Sequence, residues 1–145
     1  MTASAGLALP LASVEMYLKA RGLTDNYPDA QVVRGQGSAE DIRRVGPGRG
    51  VILSRGGGPG LMLEWAFDQP IITIRTIGRQ KDYDDGEQLA GDVDRFMLAD
   101  SNVDVGGWRC LYVTRAGGGP TCIQVDTARR SHWSCSYVVP VASGL

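Results

Sequence analysis

Lysine is nearly missing from this 145-residue chain: Lys19 and Lys81 are the only two, and every other basic side chain is an arginine. Lys+Arg total 15 against 16 Asp+Glu, a formal net charge of −1, so the basic excess of a dedicated DNA- or RNA-binding domain is absent. Histidine occurs once, as His132, which excludes a multi-histidine metal site. Cysteine occurs at 110, 122 and 135, an odd count with no C-x-x-C pair. That pattern fits neither a disulfide framework nor a common zinc module, and the three read as small buried hydrophobes. No Gly-Lys pair exists, which excludes a P-loop, and no G-x-S-x-G, which excludes a nucleophile elbow. No apolar run approaches the ~20 residues of a membrane helix. The N-terminus lacks the basic region of a secretory leader. The expectation is a soluble protein made in a reducing cytoplasm, with no membrane contact.

Hydrophobic residues make up 43% and charged residues 21%, a balance that places the chain among folded domains. The length suits a single domain over 1–145 that buries roughly 70% of its unfolded surface. Leu11, Val14 and Leu18 form one helical stripe within Pro10–Arg21, and Gly22 follows as a helix stop. Residues 23–47 read as a long loop with one helical turn started by Ser38. Strands are predicted at 51–54, 61–67 and 70–78. The clearest helix is "DDGEQLAGDVDRFMLAD", with Leu89, Val93, Phe96 and Met97 on one face. Strands return at 108–115, 121–126 and 132–141, with "AGGGP", residues 116–120, as a hairpin connection. Helix, three strands, helix, three strands predicts an α+β fold: a mostly antiparallel β-sheet with two α-helices packed on one face, plus extended hairpin loops.

Several local patterns invite chemistry and have plainer explanations. "SRGGGPG", residues 54–60, is followed by strand-like residues rather than a helix, so it reads as an extended hairpin turn and not a phosphate cradle. "DYDDGE", residues 82–87, puts its glycine one position early for a calcium loop, and its acids suit a helix start. His132 reads as a strand-end residue near solvent or a subunit contact. Arg129 and Arg130 fall in the turn before the last strand, where an inter-subunit ion pair or a solvated turn fits equally well. No catalytic residue, metal ligand or cofactor is assigned, and the chain is read as a non-enzyme.

Three stretches carry a resemblance. "VEMYLKARGL", "PIITIRTIGRQKDYDDGEQLAGDVDRFML" and "CIQVDTARRSHWSCSYVVPV" resemble the opening helix, the strand–loop–helix centre and the closing hairpin of the tail terminator proteins of long-tailed, non-contractile bacteriophages, also called minor capsid or tail-completion proteins. The resemblance implies a virion protein, made in the host bacterial cytoplasm, that forms a homohexameric ring on the head-proximal end of the tail. Such a ring stops tail polymerisation, binds the tail tube protein and meets the head-tail connector or head-completion protein. DNA passes through without specific binding. A heterologous interface that closes is the physical requirement. The expected interface residues are Arg55, Gly56, Gly57 and Gly58 in the glycine hairpin, and Arg129, Arg130 and Trp133 at a second contact. The alternatives are another neck ring, a tail-tube subunit, or a small α+β enzyme or ligand-binding domain.

Overall fold

A computed structural model describes residues 11–56, 67–68, 70–99, 101–105 and 108–142. Helix α1 (Leu11–Ala20) buries Val14 and Leu18 and is followed by Gly22 at φ 119°, the left-handed stop that glycine adopts cheaply. A single turn, α2 (Leu23–Asn26), leads into strand β1 (Gln31–Gly35). Helix α3 (Ala39–Val45) begins with a capping box: Ser38 accepts from the Asp41 N–H, and the Asp41 carboxylate accepts from the Ser38 N–H. Strand β2 (Gly50–Gly56) then pairs in parallel with β1, Val33 opposite Ile52.

After β3 (Phe67–Asp68), strand β4 (Ile71–Ile77) pairs antiparallel with β2 and with β9 (Ser131–Val138). Helix α4 (Tyr83–Leu98) connects this region to β5 (Ser101–Val105) and β6 (Trp108–Tyr112). Two short segments, β7 (Thr114–Arg115) and β8 (Thr121–Val125), both pair with β9, and β10 (Val141–Ala142) ends the order. The larger sheet runs β1-β2-β4-β9, with β7 and β8 along the far side of β9. The smaller sheet runs β3-β10-β6-β5.

The fold is not the mostly antiparallel sheet with two helices on one face that the sequence predicts. The fold is a mixed α/β arrangement around an open sheet, with helix and strand contributing comparable shares and four helices among the described residues. The reason is the β1–α3–β2 crossover, which turns part of the expected loop into a parallel unit. It also places helices on both faces. Val51, Leu53, Ile72, Ile74, Cys135 and Tyr137 pack with residues of α1 and α4 in the main core. The alternate residues Val33, Ile52 and Ile77 pack with Ile42 and Val45 of α3 in a second cluster. Period-two alternation makes this possible, because neighbouring residues of β2 face opposite ways.

The 116–120 segment is also not a hairpin between partners. β7 and β8 lie in line along one edge of β9, Thr114 opposite Val138 and Thr121 opposite Ser134. "AGGGP" is an excursion between them, entered by a hydrogen bond from the Ala116 N–H to the Ser136 carbonyl (2.8 Å).

Helix α4 approaches the sheet through two glycines. A Cβ on Gly78 would lie 2.5 Å from the Gly86 Cα, and one on Gly86 would overlap Ser131 Oγ and lie 2.8 Å from the Ser131 carbonyl. Gly91, on the exposed side of the same helix, meets nothing within 4 Å. Gly86→Ala is expected to destabilise by about 1–3 kcal/mol through overpacking. Gly91→Ala is expected to stabilise by about 0.5–1 kcal/mol through helix propensity. Urea unfolding of the two variants checks both signs, and equal effects would mean that the close approach of α4 is not rigid.

Candidate functional site

The polar side chains concentrate at one end of the large sheet, where β1 begins and β8 ends. Arg49 precedes β2 and is 9% exposed. Its Nε and Nη2 donate to Asp85 Oδ2 (2.9 Å) and Oδ1 (2.6 Å), and its Nη1 donates to Asp29 Oδ1 (2.9 Å). The guanidinium lies over the Tyr27 ring, 5.0 Å from its centroid. Asp85, in the first turn of α4, also accepts from the Arg79 N–H (2.8 Å). The bond from Arg49, reinforced by Arg79, holds the Asp85 carboxyl below the usual carboxylate range despite burial.

Beside it runs a chain of four side chains. Arg75 Nε and Nη2 donate to His132 Nδ1 at 3.1 and 2.8 Å. His132 Nε2–H donates to Asp126 Oδ2 (2.9 Å), which also accepts from Arg130 Nε (2.9 Å). Arg130 Nη1 donates to the carbonyls of Gly46 (2.5 Å) and Gly48 (2.9 Å), tying the turn after β8 to the loop before β2. His132 is fully enclosed. Its environment fixes the neutral tautomer with the proton on Nε2. Burial, joined by Arg75 and Arg130, lowers its pKa despite Asp126. Burial raises the Asp126 pKa, but bonds from His132 and from the Arg130 backbone and side chain outweigh it and hold Asp126 at about 2. Both imidazole nitrogens are engaged, so this cluster is built to hold geometry rather than to exchange a proton.

Asp94 of α4, also buried, accepts from Tyr137 Oη (2.9 Å) and Arg115 Nε (3.1 Å). It fastens the middle of the helix to β9 and to the start of the 116–120 excursion.

The expected site residues separate into different environments. Arg55 and Gly56 are exposed at the end of β2, while Gly57 and Gly58 lie outside the described residues. Arg130 and Trp133 are buried, the latter donating from Nε1 to Ser131 Oγ (3.0 Å). His132, expected near solvent or a subunit contact, is interior, because β8 and its turn close over it. Cys110 and Cys135 are buried and Cys122 is partly so, and none forms a disulfide. Among the described residues no group of three His, Cys, Asp or Glu is placed to hold a metal, and no helix is long and apolar enough to cross a membrane.

Arg129 is exposed and sits at φ 62°, and Lys81 sits at φ 61°. Each costs roughly 1–2 kcal/mol of backbone strain for a residue other than glycine. The two are joined by a hydrogen bond from the Lys81 N–H to the Arg129 carbonyl (3.1 Å). Lys81, missing from the expected site residues, thus stands beside Arg129 at the outer corner of the polar cluster. The sequence signal available was its position just before the helix-start acids. The edge strand β8 ends at this corner. Its Ile123 and Val125 are 49% and 53% exposed, and Tyr83 on the neighbouring helix start is 48% exposed. No protein-family model matches the chain, and no curated protein matches it.

Two outcomes follow from these clusters. For His132, whose folded pKa lies below the unfolded value near 6.5, the unfolded state binds more protons. Stability is therefore full above about pH 6.5 and falls as pH drops toward the folded pKa. Asp126 adds a second loss between about pH 4 and 2. Urea midpoints measured from pH 8 to 4.5 should decline in the native chain and lose that slope in His132→Gln; a slope retained by the variant would assign it elsewhere. Asp85→Ala leaves Arg49 buried with only Asp29, and should cost about 3 kcal/mol in chemical denaturation.

Proposed function

We propose that this chain is a structural, self-assembling protein of a bacteriophage tail, forming a homohexameric ring that caps the head-proximal end of the tail tube and joins it to the head connector. One observation carries the assembly part of this reading: among the described residues the large sheet is open, and its two outer edges are unlike. Strand β1 borders one side, and β7 and β8 border the other. Unlike edges on opposite sides of one subunit are what a head-to-tail ring requires. The β8 edge carries half-exposed Ile123 and Val125, apolar surface that a neighbouring subunit would cover. The tail-end identity comes from the resemblance of the helix–strand–helix–hairpin stretches, and a near-neutral chain suits a channel through which DNA slides without being gripped.

In this role the interior polar clusters hold the subunit rigid, and function resides in its surfaces. The reading is tested by light scattering of the purified chain, with negative-stain images in the presence and absence of isolated tail tubes. Rings seated on one end of a tube are the expected outcome. Rings that ignore tubes but dock on filled heads would move the protein to the head side of the neck. A chain that stays monomeric and binds neither would overturn the reading.

A further inference from the structure

The two edges that are open among the described residues are complementary in direction and in charge. β1 runs from Gln31, at the polar end of the sheet, toward Gly35. β8 runs the other way: Thr121 lies opposite Ser134, and Val125 lies opposite Ser131 at the polar end. When one subunit is set beside the next so that the sheet continues, β8 of the first meets β1 of the second antiparallel, with Val125 near Gln31. The flanking charges then meet. The exposed acids Asp25 and Asp29 precede β1, Asp29 also accepting from Arg49, while the exposed Arg129 lies in the turn that follows β8 and the exposed Lys81 is bonded to its carbonyl from the β4 side. Asp82, next to Lys81, is turned away from this role because its side chain caps α4 by accepting from the Asp85 N–H (3.1 Å).

We propose that copies of this chain join edge to edge, β8 of one subunit pairing antiparallel with β1 of the next, with Lys81 and Arg129 of the first against Asp25 and Asp29 of the second. This rests on the self-assembling reading above and names its interface. Main-chain pairing supplies the contact. Ile123, Val125 and the Tyr83 ring supply apolar surface beside it. Two features keep the pairing selective. β8 is kinked by a bulge between Cys122 and Gln124, and β1 is only five residues long. Short and bulged edges resist indiscriminate strand addition, so the corner charges decide which edge is accepted.

The test uses two charge-reversed versions of the full chain. In K81E/R129E the β8 corner becomes acidic, and in D25K/D29K the β1 corner becomes basic. Asp29 also holds Arg49, so Asp25→Lys alone serves as a second β1 variant that leaves that pair intact. Far-UV circular dichroism verifies folding, and light scattering reads assembly. Each variant alone is expected to associate at least about tenfold more weakly than the native chain. Mixed in equal amounts they should assemble again, because every β8 corner can then find an oppositely charged β1 corner in an alternating, even-numbered ring. Folded variants that assemble alone as the native chain does, or that fail to assemble when mixed, would overturn the edge pairing. So would a native chain that never self-associates. Native rings that follow the charge-swap pattern but ignore tail tubes would leave the edge pairing standing and remove the tail-end reading. Native rings that cap tubes while the reversals have no effect would do the opposite.

Discussion

Arg49 loses most of its hydration on folding, and that cost is offset only because Asp85 takes it in a two-point grip while Asp29 closes the third side. The remaining layout follows from that joint. Arg49 stands where the β1–α3–β2 crossover returns to the sheet, and Asp85 stands in the first turn of α4. The pair therefore locks a parallel unit on one side of the molecule to the helix that covers the other. Arg130 reinforces the same place from the β8–β9 turn by holding the carbonyls of Gly46 and Gly48. Three segments far apart in sequence thus meet through buried charge rather than apolar packing alone. Such charge is a poor source of stability but a strong source of register, since a one-residue slip in β2 or β9 would leave a guanidinium buried without its carboxylate.

Glycine is the second constraint. Gly78 and Gly86 let α4 lie against the strands closely enough for Asp85 to reach Arg49 and for Ser131 Oγ to donate to the Tyr83 carbonyl (2.8 Å). A bulkier residue at either place would lift the helix start and lengthen both contacts. Close packing and polar pairing are coupled here: the helix must be near for the charges to pair, and the pairing justifies the nearness.

Much of this was legible in the sequence, and the misses have physical causes. The stripe of Leu89, Val93, Phe96 and Met97 marks α4, the Ile- and Thr-rich run of residues 70–78 marks β4, and Gly22 marks the end of α1. Strand β1 gave little signal because an edge strand buries few residues: only Val33 of its five is buried. Helix α3 shows in the sequence as one turn only, because its apolar face is just Ile42 and Val45, packed on Val33, Ile52 and Ile77. Missing that crossover made a mixed fold read as an antiparallel one. Arg130 and Arg129 are adjacent in sequence and looked equivalent, yet one is interior and the other exposed. The left-handed backbone at Arg129 separates them, and nothing in a dipeptide reveals it.

A subunit that assembled through sheet edges, as proposed, would need no chemical signature, and the motifs of this chain are glycine-rich turns. Main-chain pairing asks for an extended backbone and for side chains that do not obstruct it, conditions that many sequences meet. Specificity then falls to a few charges at the ends of the strands and to irregularities such as the bulge at Cys122–Gln124. Those charges must project outward from a corner that does not yield, or the discrimination they offer is lost to side-chain and backbone motion. The chain His132–Asp126–Arg130 stiffens the β8–β9 turn directly beneath Arg129, and the Arg49–Asp85 grip stiffens the helix start beside Lys81. In the proposed assembly the buried polar clusters and the open edge form one device: the interior fixes the corner, and the corner selects the neighbour.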